Sequence, residues 1–272
     1  MAKAPLISII TVNLNNLEGL KKTMTSVFEQ TWQEFEYIVI DGGSTDGSKE
    51  YIEQHTDKLN YWVSEQDKGI YNAMNKGILK AEGEYLLFLN SGDWLFDKKV
   101  LKIVQENIKN VDVLYGNMVK IYADGREHLD KGVNGRTISL KTFIEGTLNH
   151  SASFINHRLF SKYGLYDEGL YIVSDWKFFL ISLGLNESEV IYVDFPVSYF
   201  DMNGISNKNL KLRNEERELV INDVVALPVF SDYLKLKQLE EKITSHRYKK
   251  FAQTDEGGLS RKLHSLIFRI FS

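Results

Sequence analysis

Between residues 6 and 120 the chain alternates short apolar runs of strand length with stretches whose apolar residues recur at helical spacing. That alternation restricts the architecture more than any other feature. Leu6–Val12 is a β-branched run, after which Leu17, Leu20, Met24, Val27 and Phe28 fall at helical intervals. Phe35–Ile40 reads as a second strand ending in Asp41-Gly42-Gly43-Ser44-Thr45-Asp46-Gly47, followed by a helix over Ser48–His55. Tyr61–Ser64 is a weaker third strand, Gly69–Ala81 a helix with Ile70, Met74 and Ile78 on one face, and Tyr85–Asn90 a fourth strand. Strands joined by helices of this length imply right-handed crossovers and a mostly parallel sheet flanked by helices on both faces. In such sheets ligands sit beyond the carboxyl ends of the strands. Those ends read Asn13, Asp41 and Asn90-Ser91-Gly92-Asp93, so polar groups gather where the architecture leaves a crevice.

After residue 110 the rhythm changes. Val113–Asn117, Ser151–Asn156 and Val190–Asp201 read as strands, but their links are irregular and include the polar stretch Asp124–Gly135, which predicts a mixed half-sheet. From about Asn207 the chain turns polar and helical: Glu215, Glu216, Arg217 and Glu218 lead into apolar positions, Pro228 acts as a break, and Tyr233–Tyr248 is a Lys-rich helix. This divides the chain into an α/β domain over 1–206 and a C-terminal helical extension over 207–272. In the tail Gly258–Ser272, Leu259, Leu263, Leu266, Ile267, Ile270 and Phe271 fall on one side, with Arg261, Lys262 and Arg269 elsewhere. A basic amphipathic helix of this kind suits peripheral contact with an anionic membrane. The alternative is packing against its own domain or a second subunit in a homodimer.

The 272 residues contain no cysteine, which excludes a disulfide scaffold, a thiolate zinc site, an iron–sulfur cluster and a cysteine nucleophile. Any chemistry uses oxygen and nitrogen ligands. Thirty-three Lys and Arg against 37 Asp and Glu leave a formal charge of −4, which argues against nucleic acid as a partner. The N-terminus reads as a core strand rather than a signal peptide, and no run approaches the roughly 18 apolar residues of a spanning helix. The expected location is the cytoplasm, including the inner face of the cell membrane. Gly42 and Gly47 are spaced as in a P-loop, but Ser48-Lys49 transposes the lysine and hydroxyl that such a loop needs. No G-x-G-x-x-G follows a strand, and G-x-S-x-G and H-E-x-x-H are absent.

Four segments in order, at the ends of successive strands, carry a resemblance: Thr11-Val12-Asn13, Asp41-Gly42-Gly43-Ser44-Thr45-Asp46-Gly47-Ser48, Asp67-Lys68-Gly69-Ile70-Tyr71-Asn72-Ala73-Met74-Asn75-Lys76-Gly77 and Phe88-Leu89-Asn90-Ser91-Gly92-Asp93. Over roughly residues 5–205 the chain resembles the inverting family 2 glycosyltransferases of GT-A fold, above all bacterial enzymes of surface polysaccharide and O-antigen synthesis. The resemblance implies a Rossmann-like, mostly parallel α/β sheet and transfer of a hexosyl group, with inversion, from a nucleotide-diphosphate sugar, expected to be a UDP-sugar. A saccharide or lipid-linked saccharide hydroxyl accepts it.

The same resemblance implies roles for particular residues. Thr11, Asn13 and Asp41 are expected around the nucleotide base, Asp41 accepting from the uracil imide. Asp46 fits a helix cap better than a ligand. Lys68 brings a cation to the diphosphate, Asn72 stands where relatives carry Asp, and Ser91 lies on the nucleotide side. Ser91-Gly92-Asp93 keeps only the last acid of the D-x-D sequence, so Asp93 is the expected ligand of Mn²⁺ or Mg²⁺. Asp175 is the expected general base, with Asp167 or Glu168 as alternatives, and His150 and Trp176 are expected on the acceptor side. Two other functions compete: a sugar-nucleotide nucleotidyltransferase, and a non-catalytic nucleotide-sugar-binding paralogue.

Overall fold

The computed structural model describes residues 4–202, 209–255 and 258–271. The first apolar run forms β1 (Ile7–Asn13), buried along its whole length. It leads into α1 (Leu17–Phe28), capped by Asn16, whose side-chain oxygen accepts from the Gly19 amide at 3.2 Å. The alternation continues through β2 (Glu36–Asp41), α2 (Ser48–Glu53), β3 (Tyr61–Ser64), α3 (Ile70–Lys80) and β4 (Tyr85–Phe88). β1 pairs in parallel with β2 and β4, and β2 with β3. Alternate strand residues face opposite ways, so Ile7, Ile9, Tyr37, Val39, Tyr85 and Leu87 join Leu20, Met24 and Val27 of α1 in one core. The other face is covered by α3. A Cβ at Gly77 would lie 2.5 Å from Ile10 Cγ2, so glycine is what lets this helix approach β1 so closely.

Beyond β4 the strand directions mix. The remaining elements of this half are β5 (Trp94–Leu95), α4 (Val100–Asn107), β6 (Val113–Ile121), β7 (Glu127–Asp130), α5 (Leu140–Glu145), β8 (Ser153–Asn156), α6 (Arg158–Tyr163), α7 (Ser174–Phe179) and β9 (Val190–Asp201). The sheet order is β3-β2-β1-β4-β8-β6-β9-β5, with β7 on β6. β8 runs antiparallel to β4 and β6, β9 parallel to β6, and β5 antiparallel to β9. This is the mixed half-sheet expected after residue 110. The chain crosses from β4 to the far edge strand β5 through Leu89–Asp93 alone, which the sheet accommodates by curling. The carboxyl ends of β1–β4, β6 and β9 therefore share one edge, and β5 begins there.

Two expectations change. Asp124–Gly135 is not irregular throughout: Gly125 at φ +81° turns the chain, the Tyr122 amide donates to the Arg126 carbonyl at 3.0 Å, and β7 returns as the second strand of a hairpin. Pro228 begins a helix instead of breaking one, because the first turn needs no N–H from it.

The C-terminal elements are α8 (Leu210–Val224), α9 (Leu227–Thr244), α10 (His246–Asp255) and α11 (Gly258–Phe271). The chain divides into two compact units, 1–219 and 220–272. The boundary expected at 206 lies outside the described residues, as do the side chains of Leu259, Ile267, Ile270 and Phe271 in the tail.

Candidate active site

At one part of the shared edge, Asn13 and Asp41 are register partners across β1 and β2. Asp41 is fully buried and accepts four hydrogen bonds: at Oδ1 from Asn13 Nδ2 (2.7 Å) and Ser44 Oγ (2.5 Å), at Oδ2 from the Ser44 amide (2.9 Å) and Ser64 Oγ (2.6 Å). Burial alone would raise its carboxyl, but these bonds outweigh burial and hold it below the ordinary carboxylate range. Asn13 Oδ1 is buried without a partner among the described residues. Thr11 sits elsewhere than expected. It shares the inward face of β1 with Ile7 and Ile9, and its hydroxyl lies 2.8 Å from the Leu89 carbonyl and 3.0 Å from Tyr37 OH, so it presents nothing to the crevice. Asp46 behaves as a cap: it accepts from the amides of Leu17 at 2.8 Å and Ser48 at 3.1 Å, fixing the starts of α1 and α2.

Next along the edge comes the Ser91-Gly92-Asp93 turn. Gly92 has φ +104°, its amide donates to Thr23 Oγ1 at 3.1 Å, and that hydroxyl donates to the Asp93 carbonyl at 2.6 Å. The Ser91 amide donates to the Val12 carbonyl and its own carbonyl accepts from Asn16 Nδ2, which sets the turn beside β1. Asp93 is buried, and among the described residues its carboxylate accepts one hydrogen bond, from the Asp201 amide at 3.3 Å. Burial, reinforced by the charge of Asp201, pushes its carboxyl up to about 8. Close by in sequence, Asn90 Oδ1 is buried without a partner among the described residues. These all-oxygen donors fit a hard divalent cation, whose charge would relieve the buried acid. Among the described residues no cluster of three or more His, Cys, Asp or Glu side chains could hold a metal. A divalent ion here would draw the rest of its shell from a bound diphosphate and water.

Lys68 is exposed at the start of α3, and its amide donates to Asn72 Oδ1 at 3.1 Å. Asn72 Nδ2 donates to Glu168 Oε2 at 2.9 Å. A carboxylate at 72 would face Glu168 as a like charge, whereas the amide donates to it.

Asp175 stands in the first turn of α7. Its Oδ1 is 2.9 Å from Tyr71 OH and its Oδ2 is 3.3 Å from His150 Nδ1. Tyr71 OH also lies 2.6 Å from the Ile172 carbonyl, and burial followed by the charge of Asp175 raises its pKa well above the usual value, so it stays protonated as a donor. Because Tyr71 opens α3 directly after β3, Asp175 is brought to the same sheet edge as Asp41 and Asp93. His150 Nε2 is buried without a partner among the described residues. The two alternative acids are engaged elsewhere: Asp167 with Lys177 Nζ at 2.7 Å, and Glu168 with Asn72 and Asn75. Trp176 does not reach an acceptor surface. It is buried, its Nε1 donates to the carbonyls of Phe143 (2.8 Å) and Gly146 (3.1 Å), and the Arg217 guanidinium lies 4.8 Å from its ring centroid.

Sequence reading passed over Tyr71, although it lies inside a quoted motif, and also Glu216. Glu216 is buried in α8 and accepts from the amides of Tyr171 (2.6 Å), Ile172 (2.9 Å) and Val173 (3.2 Å), so one carboxylate fixes the segment that enters α7.

The curled, mostly parallel sheet with its polar carboxyl edge is the GT-A glycosyltransferase fold. S. aureus TarS, residues 1–349, superposes with a TM-score of 0.65 at 22% identity, covering 90% of this chain and 74% of that one. The same fragment in complex with UDP-GlcNAc gives 0.60 at 23% identity, covering 72% of this chain and 58% of that one. The chain belongs to glycosyl transferase family 2, whose model matches residues 8–162, more than half its length. An uncharacterized glycosyltransferase of Mycobacterium tuberculosis is 36% identical over 186 residues, covering 66% of this chain and 70% of the relative. A PGL/p-HBAD biosynthesis glycosyltransferase of Mycobacterium bovis is 29% identical over 215 residues, covering 75% and 80%.

Proposed function

We propose that the protein transfers a hexosyl group from a UDP-sugar to an acceptor hydroxyl with inversion, in the synthesis of a bacterial surface polysaccharide or glycolipid at the cytoplasmic face of the membrane. The observation that carries this reading is the Asp175 carboxylate, held by Tyr71 and His150 at the sheet edge that also bears Asp41 and Asp93. An alcohol is a poor nucleophile until its proton leaves, and a positioned carboxylate takes that proton as the bond to the anomeric carbon forms. Asn13, whose Oδ1 has no partner among the described residues, meets the base of the nucleotide with Asp41 positioning it from behind, and Ser91 lies on the nucleotide side. Lys68 brings a compact positive charge to the diphosphate. Asp93 with Asn90 would hold Mn²⁺ or Mg²⁺, which when bound neutralises charge on the departing diphosphate. TarS in complex with UDP-GlcNAc supports the nucleotide assignment by likeness of fold, and the Mycobacterium bovis relative, a PGL/p-HBAD biosynthesis glycosyltransferase, supports a biosynthetic glycosyl transfer.

The test is a screen of the purified chain against UDP-, GDP-, dTDP- and CMP-sugars with Mn²⁺, read by thermal shift and by nucleotide release, with NMR of the anomeric proton of any product. UDP release and an inverted product are expected. Release of pyrophosphate identifies a nucleotidyltransferase, and stabilisation without turnover identifies a binding paralogue.

A further inference from the structure

The buried Tyr71 hydroxyl has one hydrogen and stands between two acceptors. Its oxygen is 2.6 Å from the Ile172 carbonyl and 2.9 Å from Asp175 Oδ1, and neither a carbonyl nor a carboxylate has a hydrogen to give back. While Asp175 is charged, only one of the two can be served. The Ile172 carbonyl is held in place, because the same peptide unit donates through the Val173 amide to Glu216 Oε2 at 3.2 Å and the Ile172 amide donates to that oxygen at 2.9 Å. At the second oxygen of Asp175 the roles are fixed. A carboxylate only accepts, so His150 Nδ1, 3.3 Å from Oδ2, is the ring nitrogen that carries the hydrogen.

Protonation of Asp175 changes which bonds can form. In the transfer the acceptor O–H bond breaks, its oxygen bonds the anomeric carbon, the diphosphate leaves with the electron pair of the old bond, and the proton goes to the carboxylate. Oδ2 still faces an N–H, so the hydrogen of the acid belongs on Oδ1. There it meets the Tyr71 oxygen, whose own hydrogen must then point to the Ile172 carbonyl. A hydroxyl rotates between the two directions without moving the ring.

We propose that Tyr71 is a positioning residue that serves Asp175 in both of its protonation states: its hydroxyl donates to the carboxylate before transfer and, once the proton has been taken, accepts from the acid while its own hydrogen turns to the Ile172 carbonyl. The proposal rests on Asp175 being the base and adds how the base is held after it has acted. The titratable and charged groups around Asp175 are Tyr71 of α3, His150 ahead of β8, Tyr166 and Arg217 of α8, and Tyr71→Phe changes the first alone. Its loss leaves the carboxylate less well oriented, so kcat should fall about tenfold with the KM for donor unchanged. The bond to the charged form is the stronger of the two, so its removal favours the acid and should move the acidic limb of the kcat profile upward by about one pH unit.

The experiment labels the full chain with ¹³C′-isoleucine and ¹⁵N-valine, a pairing that reads the Ile172–Val173 peptide by NMR. As pH is lowered through the titration of Asp175, the Ile172 carbonyl gains a hydrogen bond, and its ¹³C resonance should move downfield in the wild type but stay in place in Tyr71→Phe. Asp175→Asn removes the titrating group and keeps the hydroxyl, so its Ile172 resonance should also ignore pH, and a misfolded phenylalanine variant does not end the test. A wild-type resonance that does not move, or a movement that persists in either variant, overturns the proposal. So does a Tyr71→Phe enzyme that melts lower yet keeps its kcat and pH profile, which would leave the hydroxyl a packing role only. Turnover of Asp175→Asn at the wild-type rate sinks the base assignment instead, and the Ile172 titration still decides whether the hydroxyl turns.

Discussion

Asp41 and Asp175 sit on the same edge of the sheet, yet their surroundings suit them to different work. Asp41 is surrounded by donors that hold its charge and leave it a poor proton acceptor. Asp175 has one tyrosine hydroxyl and one imidazole. Asp175→Asn preserves shape, so we expect a melting temperature near wild type, unchanged UDP affinity by calorimetry and a fall in kcat of about 10²–10⁴-fold. Turnover near the wild-type rate would reduce Asp175 to a helix-start residue. Asp41→Ala removes the acceptor that positions Asn13 and Ser44 at the nucleotide base, so it should cost about 1–3 kcal/mol of UDP binding, and binding of GDP as tight as UDP would count against the nucleotide-base assignment. Because the folded Asp41 carboxyl lies below its unfolded value, its contribution to stability is complete at neutral pH and fades as pH falls through the folded value. The melting-temperature gap between wild type and Asp41→Ala should therefore be widest near neutrality and close below about pH 4 by calorimetry.

At the scale of elements, the site depends on segments distant in sequence meeting at one edge. Glu216 ties α8 to the residues that enter α7, so Glu216→Ala leaves three amides unpaired, those of Ile172 and Val173 buried, and should destabilise the fold by about 2–3 kcal/mol in urea denaturation. It should also lower kcat more than it raises the KM for donor, since the displaced group is Asp175. An unchanged kcat would show that α7 is held from elsewhere. This tie was not legible in the sequence, where Glu216 reads as one acid in a solvated helix start. The strands β1–β4 and their polar ends were legible, because apolar runs and turn residues are local signals. Side-chain direction was harder to read. Thr11 had the right chemistry but shares the inward face of Ile7 and Ile9. Trp176 follows Asp175 by one helical position, about 100° around the axis, so a helix that turns Asp175 to the crevice turns Trp176 to the core. Tyr71 meets Asp175 across most of the domain, a pairing that no local pattern encodes.

For the whole molecule, the unit 220–272 raises a separate question, because its helices expose apolar side chains that a self-contained fold would bury. In α9, Leu236, Leu239 and Ile243 are more than half exposed, and in α11 Leu263 and Leu266 are 61% and 59% exposed, alongside Arg261, Lys262 and Arg269 at the surface. No helix among the described residues is long and apolar enough to cross a membrane. Leucine side chains entering the headgroup boundary, with basic residues on anionic lipid, bind in proportion to apolar area and to surface charge. A transferase that acts on a lipid-linked acceptor gains from such contact because its acceptor is confined to the same surface. Deleting residues 259–272 should reduce co-sedimentation with anionic liposomes, reduce it less with neutral ones, and spare turnover on a soluble acceptor. Raising the salt concentration should weaken wild-type binding toward the truncated level, since surface charge attraction is screened within about 8–10 Å at physiological ionic strength. Sedimentation that survives the deletion, or a truncated protein that no longer folds, would assign these leucines to packing within the protein or against a second copy.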